Sequence, residues 1–227
     1  SHALGGSYNG SPIGSCKYSD ITVFSFHPVK IITSGEGGLI TTNNLDIAAK
    51  LSALRSHGII KDPRFFTNKK PSPWTYEQQL LGYNYRMSDI QAALGLSQLD
   101  RISQIISERA HLFCQYQSLL ADLPITLLHV PENVASSHHL AVIRLSDTSS
   151  ALHLHVFEEL QAAQIGVQLH YTPVHLQPYY RNLGFTEGDF PEAEAYASNA
   201  LSLPLFPGLK NDDITRVVTK LQSLLSI

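Results

Sequence analysis

The sequence predicts an α/β protein built in two pieces with a long helical connector between them. Three observations carry that expectation. Short β-branched and aromatic runs alternate with glycine and proline turns up to residue 87. A helical apolar period then dominates residues 88–123. Beyond Pro124, strand-like runs alternate with amphipathic helical patterns. The expected organisation is a piece of an α/β domain over 1–87, a connector over 88–123 and a small α/β domain over 124–227.

Each element follows from local chemistry. SDITVFSF (19–26) is β-branched and aromatic and is bounded by Pro28, as a short buried strand would be. GLITT (38–42) is a second strand. Asn43 and Asn44 supply cap chemistry for a helix with Leu45, Ala48, Leu51 and Leu54 on one face. It should stop near His57 and Gly58, where glycine follows the last periodic residue. Residues 59–86 carry Pro63, Pro71 and Pro73 and look irregular, and a loop of that length is usually functional or an interface arm. SDIQ (88–91) fits a capping box, with Ser88 and Gln91 satisfying each other's backbone N–H groups. Apolar positions Ile102, Ile105, Ile106, Ala110, Phe113 and Leu120 extend the helical pattern to about Leu123, with a bend near Asp100 or two consecutive helices. In the last piece, 125–130, 139–145 and 165–171 read as strands and 151–163 and 211–225 as helices. A further helix is expected over 192–200, after Pro191.

Composition narrows the class. The chain has 227 residues, 43% hydrophobic and only 15% charged, enough apolar material for one large core or two modest ones. Its net charge of -3 gives no basic footprint for nucleic acid. No apolar run approaches the roughly 20 residues of a membrane span, and no charged-then-apolar leader is visible. Cys16 and Cys114 suggest no disulfide framework, so a cytoplasmic protein is the expectation. The opening Ser1-His2-Ala3-Leu4 lacks a methionine and reads like the start of a fragment.

The chemistry concentrates around Lys30. A lysine at a strand end is ordinarily solvated. Here Ser25 lies five residues earlier on the same strand-turn, His27 and Pro28 stiffen the link, and Gly35, Gly37 and Gly38 allow close backbone approach. A phosphate-binding hydroxyl and an amine nucleophile on one turn suit a phosphorylated aldehyde cofactor. The histidines do not suggest a metal: His153 and His155 are spaced to face different sides of a helix, and His138 and His139 bring no carboxylate or cysteine partners. His57 is read either as a site residue or as charge against a helix dipole. Tyr179 and Tyr180 are read as core aromatics before substrate contacts, and Trp74 as a dimer anchor or a substrate contact.

SFHPVKIITSGEGGLITTN (25–43) closely resembles the lysine segment of the DegT/DnrJ/EryC1/StrS family, sugar aminotransferases that use pyridoxal 5'-phosphate (PLP). HALGGSYNGSPIGS (2–15), LRSHG (54–58), GYNYRMSDIQAALGLSQL (82–99), HYTPVHLQPYY (170–180) and ALSLPLFP (200–207) resemble family segments in the family's order. HYTPVHLQPYY is similar to the branch that aminates a UDP-linked 4-keto-6-deoxy-hexosamine on the way to pseudaminic acid.

The resemblance implies the PLP-dependent transferase fold of type I, with 1–87 as the C-terminal part of the large domain. It implies that Lys30 holds PLP as a Schiff base and moves the proton, that Ser25 binds the PLP phosphate and that His2 lies beside the ring. Asn84 would reach the phosphate of a partner subunit in a homodimer, while Tyr85, Arg86 and His175 would face the nucleotide-sugar. Glutamate is the implied amino donor. Lysine rather than histidine at position 30 favours transamination over the dehydration performed by a related branch.

One departure bears on activity. The family's aspartate for the pyridine nitrogen would fall before Ser1, so the isolated chain is expected to bind PLP poorly and turn over little. The competing expectation is a non-catalytic homologue that keeps a dimer surface or a nucleotide-sugar site.

Overall fold

The computed structural model describes residues 1–147 and 149–225. They divide into two compact units, one of Ser1–Ser103 with Asn133–Ala135 and one of Gln104–Glu132 with Ser136–Ile227.

In the first unit, β1 (Ser7–Tyr8) and β2 (Ser11–Pro12) form a hairpin, which the later pair Val134–Ala135 extends along the other edge of β1. Then β3 (Thr22–Ser25) pairs antiparallel with β4 (Gly38–Thr41), both shorter than the sequence patterns suggested. Phe24 and Phe26 are buried, as are Ile31, Ile32, Ala53 and Phe66 of the same unit. Helix α1 (Leu45–Arg55) is capped by Asn44, whose side-chain oxygen accepts from the N–H groups of Asp46 and Ile47. Leu45 was expected on its buried face, yet it is 85% exposed and Ala53 is the residue that is buried. At a helix's first position the side chain lies ahead of the packed turns, so periodicity alone assigns it to a face it does not cover.

The irregular segment contains a short pairing of β5 (Ile59–Ile60) with β6 (Glu77–Gln78). The expected capping box opens α2 (Asp89–Leu99), and a break at Asp100 separates it from α3 (Ile102–Leu119). The two units part within the first residues of α3.

The second unit is a three-stranded antiparallel sheet with helices packed against it. Its strands are β7 (Ile125–Leu127), β9 (Ala141–Leu145) in the centre and β10 (Ala200–Leu203); the Val134–Ala135 pair of the first unit's sheet is β8. Helices α4 (Ser150–Ala162) and α7 (Asn211–Leu225) complete the core, α7 through Ile214, Val217, Val218, Leu221 and Leu225 at helical spacing. Two short helices, α5 (Pro178–Arg181) and α6 (Pro191–Ala197), lie between them in sequence.

Two expectations fail here. Residues 165–171 are not a strand; a single bridge joins Gln168 to Ser202. The helix expected over 192–200 ends at Ala197, because ALSL is fully buried and pairs with β9. A four-residue apolar run reads equally as helix or strand, and the neighbouring strand decided it.

Candidate active site

The β3–β4 hairpin builds a platform for Lys30. Ser25 lies opposite Gly38 at its loop end, and the loop between them is closed on itself by hydrogen bonds. Phe26 N–H donates to Gly37 O (2.9 Å), Ser34 N–H to Phe26 O (3.0 Å) and Thr33 Oγ1 to Phe26 O (3.0 Å). Ser34 is buried and donates from Oγ to Glu36 O (2.9 Å), so it sits as an internal post under the glycine turn. A Cβ on Gly37 would meet Ser34 Oγ at 2.5 Å and Met87 Cε at 2.7 Å. The turn therefore needs glycine because side chains from two segments already occupy that space. Sequence reading passed over Ser34 and Met87, since their role under the turn is packing that no local pattern marks.

On this platform Lys30 is half-buried, its N–H donating to His27 O (3.0 Å). Its Nζ lies 2.7 Å from Nε2 of His2, which is brought alongside by the bond from Ser25 N–H to Ser1 O (3.3 Å). Ser25 Oγ accepts from His27 N–H (3.5 Å) and keeps a hydroxyl hydrogen to donate. Lys30, Ser25 and His2 thus occur together: an amine, a hydroxyl and an imidazole nitrogen.

Asn84, Tyr85 and Arg86 are exposed and gather at the C-terminus of α1. Tyr83 and Tyr85 donate from N–H to Leu54 O (2.7 Å) and Arg55 O (3.0 Å), Tyr83 O accepts from His57 N–H (2.8 Å), and Asn84 bridges to Ser56. The Tyr83 and Tyr85 rings stack at 4.9 Å. Arg86 lines a cavity of about 660 Å³ with His57, Lys61, Asp62, Phe65 and Ala53. This segment is registered by two glycines: a Cβ on Gly82 would strike the Gly58 backbone, and one on Gly58 would strike Leu80 O. Gly58, expected to end a helix, has a second role as the point where backbone meets backbone. Glu77 staples the preceding loop by accepting from Asn68 N–H (2.8 Å) and Thr67 N–H (2.7 Å), which pulls its pKa down to about 2.

His175 belongs to the second unit and is buried there. Its Nε2 meets Glu194 Oε1 at 2.7 Å, and its ring packs on Phe190 at 4.8 Å. Glu194 also accepts from Gly188 N–H (2.9 Å), and the His175 bond, with this help, holds its carboxyl below the usual range. Glu194 carries no motif and escaped sequence reading. Tyr179 and Tyr180, read as core aromatics before substrate contacts, are instead both exposed, their rings meeting edge-on at 5.3 Å. Trp74 is exposed as well.

Comparison with known proteins gives these groups a context. The model of the DegT/DnrJ/EryC1/StrS aminotransferase family matches residues 1–222. Spore coat polysaccharide biosynthesis protein SpsC of Bacillus subtilis is 33% identical over 98% of this chain and 58% of its own length. The Streptococcus pneumoniae protein Spr1654, solved in PLP and PMP forms, is 33% identical with a TM-score of 0.88, over 98% of this chain and 55% or 57% of its own. Helicobacter pylori PseC, an aminotransferase involved in the biosynthesis of pseudoaminic acid, is 30% identical with a TM-score of 0.89, over 99% of this chain and 58% of its own. The chain spans 58% of the length of the curated relatives it matches. Its fold is that of the type I PLP-dependent transferases, and the chain belongs to the DegT/DnrJ/EryC1/StrS aminotransferase family.

Proposed function

We propose that this chain forms the lysine-bearing part of a PLP-dependent sugar aminotransferase. The enzyme moves an amino group from glutamate to a nucleotide-linked 4-keto-6-deoxy sugar in surface-polysaccharide or nonulosonic acid biosynthesis. The observation that carries the reading is Lys30 on the hydrogen-bonded turn that follows Ser25, with Nε2 of His2 from the N-terminal segment 2.7 Å from its Nζ. That donor set fits PLP: a primary amine for its carbonyl, a hydroxyl for its phosphate and an imidazole at the amine. The cofactor, when bound, supplies an electrophilic carbonyl and a conjugated ring that accepts electrons.

The chain's own residues do the rest. Lys30 binds the carbonyl, releases it to the amino donor and then carries a proton on Nζ. Ser25 donates its hydroxyl hydrogen to the phosphate. In a homodimer, Asn84 reaches the phosphate of the partner subunit's cofactor. Tyr85 and Arg86 bind the nucleotide-sugar, Arg86 as a planar cation suited to phosphate oxygens. In the second unit, His175, held by Glu194, is the residue we assign to the nucleotide-sugar. A UDP-linked hexosamine ketone on the way to pseudaminic acid is the preferred substrate, supported by HYTPVHLQPYY and by the likeness to PseC. The enzyme works in the cytoplasm, and no helix among the described residues is long and apolar enough to cross a membrane.

The test is borohydride reduction of the PLP-treated protein followed by peptide mass spectrometry. PLP should be fixed on Lys30, and Lys30→Ala should lose both the fixed cofactor and glutamate-dependent amination in a panel of nucleotide-linked keto-sugars. Fixation elsewhere with Lys30 untouched would sink the reading.

A further inference from the structure

We infer that His2 is the proton partner of Lys30: its Nε2 takes the proton that the amine must lose before it attacks a carbonyl, and returns it to the departing water. The inference deepens the proposed function and rests on Lys30 being the carbonyl-binding amine.

The geometry is specific. Nζ and Nε2 are 2.7 Å apart, within direct proton-transfer distance, although the residues are 28 positions apart in sequence. His2 is held from both sides. Ser1 O accepts from Ser25 N–H (3.3 Å), and Ala3 O accepts from Gly6 N–H (3.0 Å) to close the following turn. The other basic ring on the loop is turned to different partners. His27 Nδ1 accepts from Val29 N–H (3.4 Å), and its Nε2 is 4.0 Å from Glu36 Oε1. The Cys16 thiol donates to Thr41 O (3.2 Å). Ser25 has a hydroxyl, which cannot accept a proton near neutral pH. Among these groups His2 alone has both the basicity and the position.

The step balances. An Nζ–H bond of the ammonium breaks and an Nε2–H bond forms, which leaves a neutral amine with its electron pair and an imidazolium. The amine adds to the aldehyde carbon, an N–C bond replaces the carbonyl π bond, and one proton passes from Nζ to the carbonyl oxygen, which becomes a hydroxyl. The resulting hydroxyl then leaves as water with the imidazolium proton, and C=N forms. His2 ends as it began, unprotonated at Nε2. The Nδ1–H tautomer is required before the first transfer, because only it offers a lone pair on the nitrogen that faces Lys30.

Condensation with salicylaldehyde tests this without phosphate binding, amino donor or turnover. Samples are reduced with borohydride at timed intervals, and each lysine peptide is read by mass spectrometry, with Lys50 as an internal standard in the same molecules. His2→Ala and His2→Gln should both slow Lys30 condensation by about tenfold or more while leaving Lys50 unchanged. Imidazole in the buffer should restore the rate in His2→Ala. The Gln variant matters because its amide accepts a hydrogen bond and cannot take a proton. An unchanged Lys30 rate in His2→Gln overturns the inference, and so does a slow His2→Ala that imidazole leaves slow. Failure of PLP fixation with His2-dependent condensation intact would remove the proposed function and keep the proton partnership; the opposite result would remove the partnership alone.

Discussion

At the scale of single residues, the chemistry was legible where a side chain and its neighbours in sequence make the site, and hidden where they do not. Ser25 ends β3 and Lys30 lies five positions on, in the loop that follows, so spacing alone places both on one strand-turn segment. Glu77, which no local motif singles out, accepts from two consecutive backbone N–H groups and from Thr67 Oγ1 (3.0 Å). The N–H of Asn68, followed by that of Thr67, pulls its pKa from 4.5 to about 2. A carboxyl whose folded pKa is depressed adds stability that is fully present above its unfolded value and is lost as pH falls through the folded one. The contribution should therefore be complete above about pH 4.5 and disappear on acidification toward pH 2. Hydrogen exchange at Thr67 and Asn68 should rise in that window beyond the intrinsic rate change, and Glu77→Gln should already exchange faster at pH 6. Equal protection of both amides at pH 5 and pH 2 would show that Glu77 does not hold the loop.

At the scale of elements, caps and breaks were written in the sequence and pairings were not. Asn44 and Ser88 cap α1 and α2 as their positions required, because a cap is a contact within four residues. The register of the 80–86 segment against α1 is a different kind of contact. It depends on Gly58 at φ +72° and on Gly82, whose missing Cβ lets one backbone lie directly on the other. Gly82→Ala should thus force the segment away and destabilise the first unit by about 1–3 kcal/mol, with the region around Asn84 and Arg86 losing protection first. Chemical denaturation with hydrogen exchange measures both quantities. Unchanged stability in the Gly82→Ala variant would mean that the backbone contact is easily relaxed. The same limit of local pattern explains ALSL: its four residues are all buried, which suits strand and helix alike, and only the edge of β9 selected strand.

At the scale of the whole molecule, each unit is held by contacts that no short window contains. Arg109 is the clearest case in the second unit. It is buried on α3, and its Nη1 donates to Leu205 O (2.9 Å), His139 O (3.2 Å) and His138 O (3.3 Å). Burial pushes its pKa down, and the three carbonyls would be left without this donor if it were removed. Arg109→Ala should lower the stability of the second unit by about 3 kcal/mol, read as a shifted denaturation midpoint, and Arg109→Lys should recover only part of it. A midpoint within error of the wild-type value in Arg109→Ala would refute the role. The sequence by itself determined the α/β class, the capped helices, the break at Asp100 and the Ser25–Lys30 turn, because all of these depend on residues a few positions apart. Only the tertiary structure decided that His2 meets Lys30, that Gly82 lies on Gly58, that Arg109 closes three distant carbonyls and that ALSL is a strand. Those contacts join residues 24 to 96 positions apart, and their partners are selected by the packing of a whole core rather than by any local period.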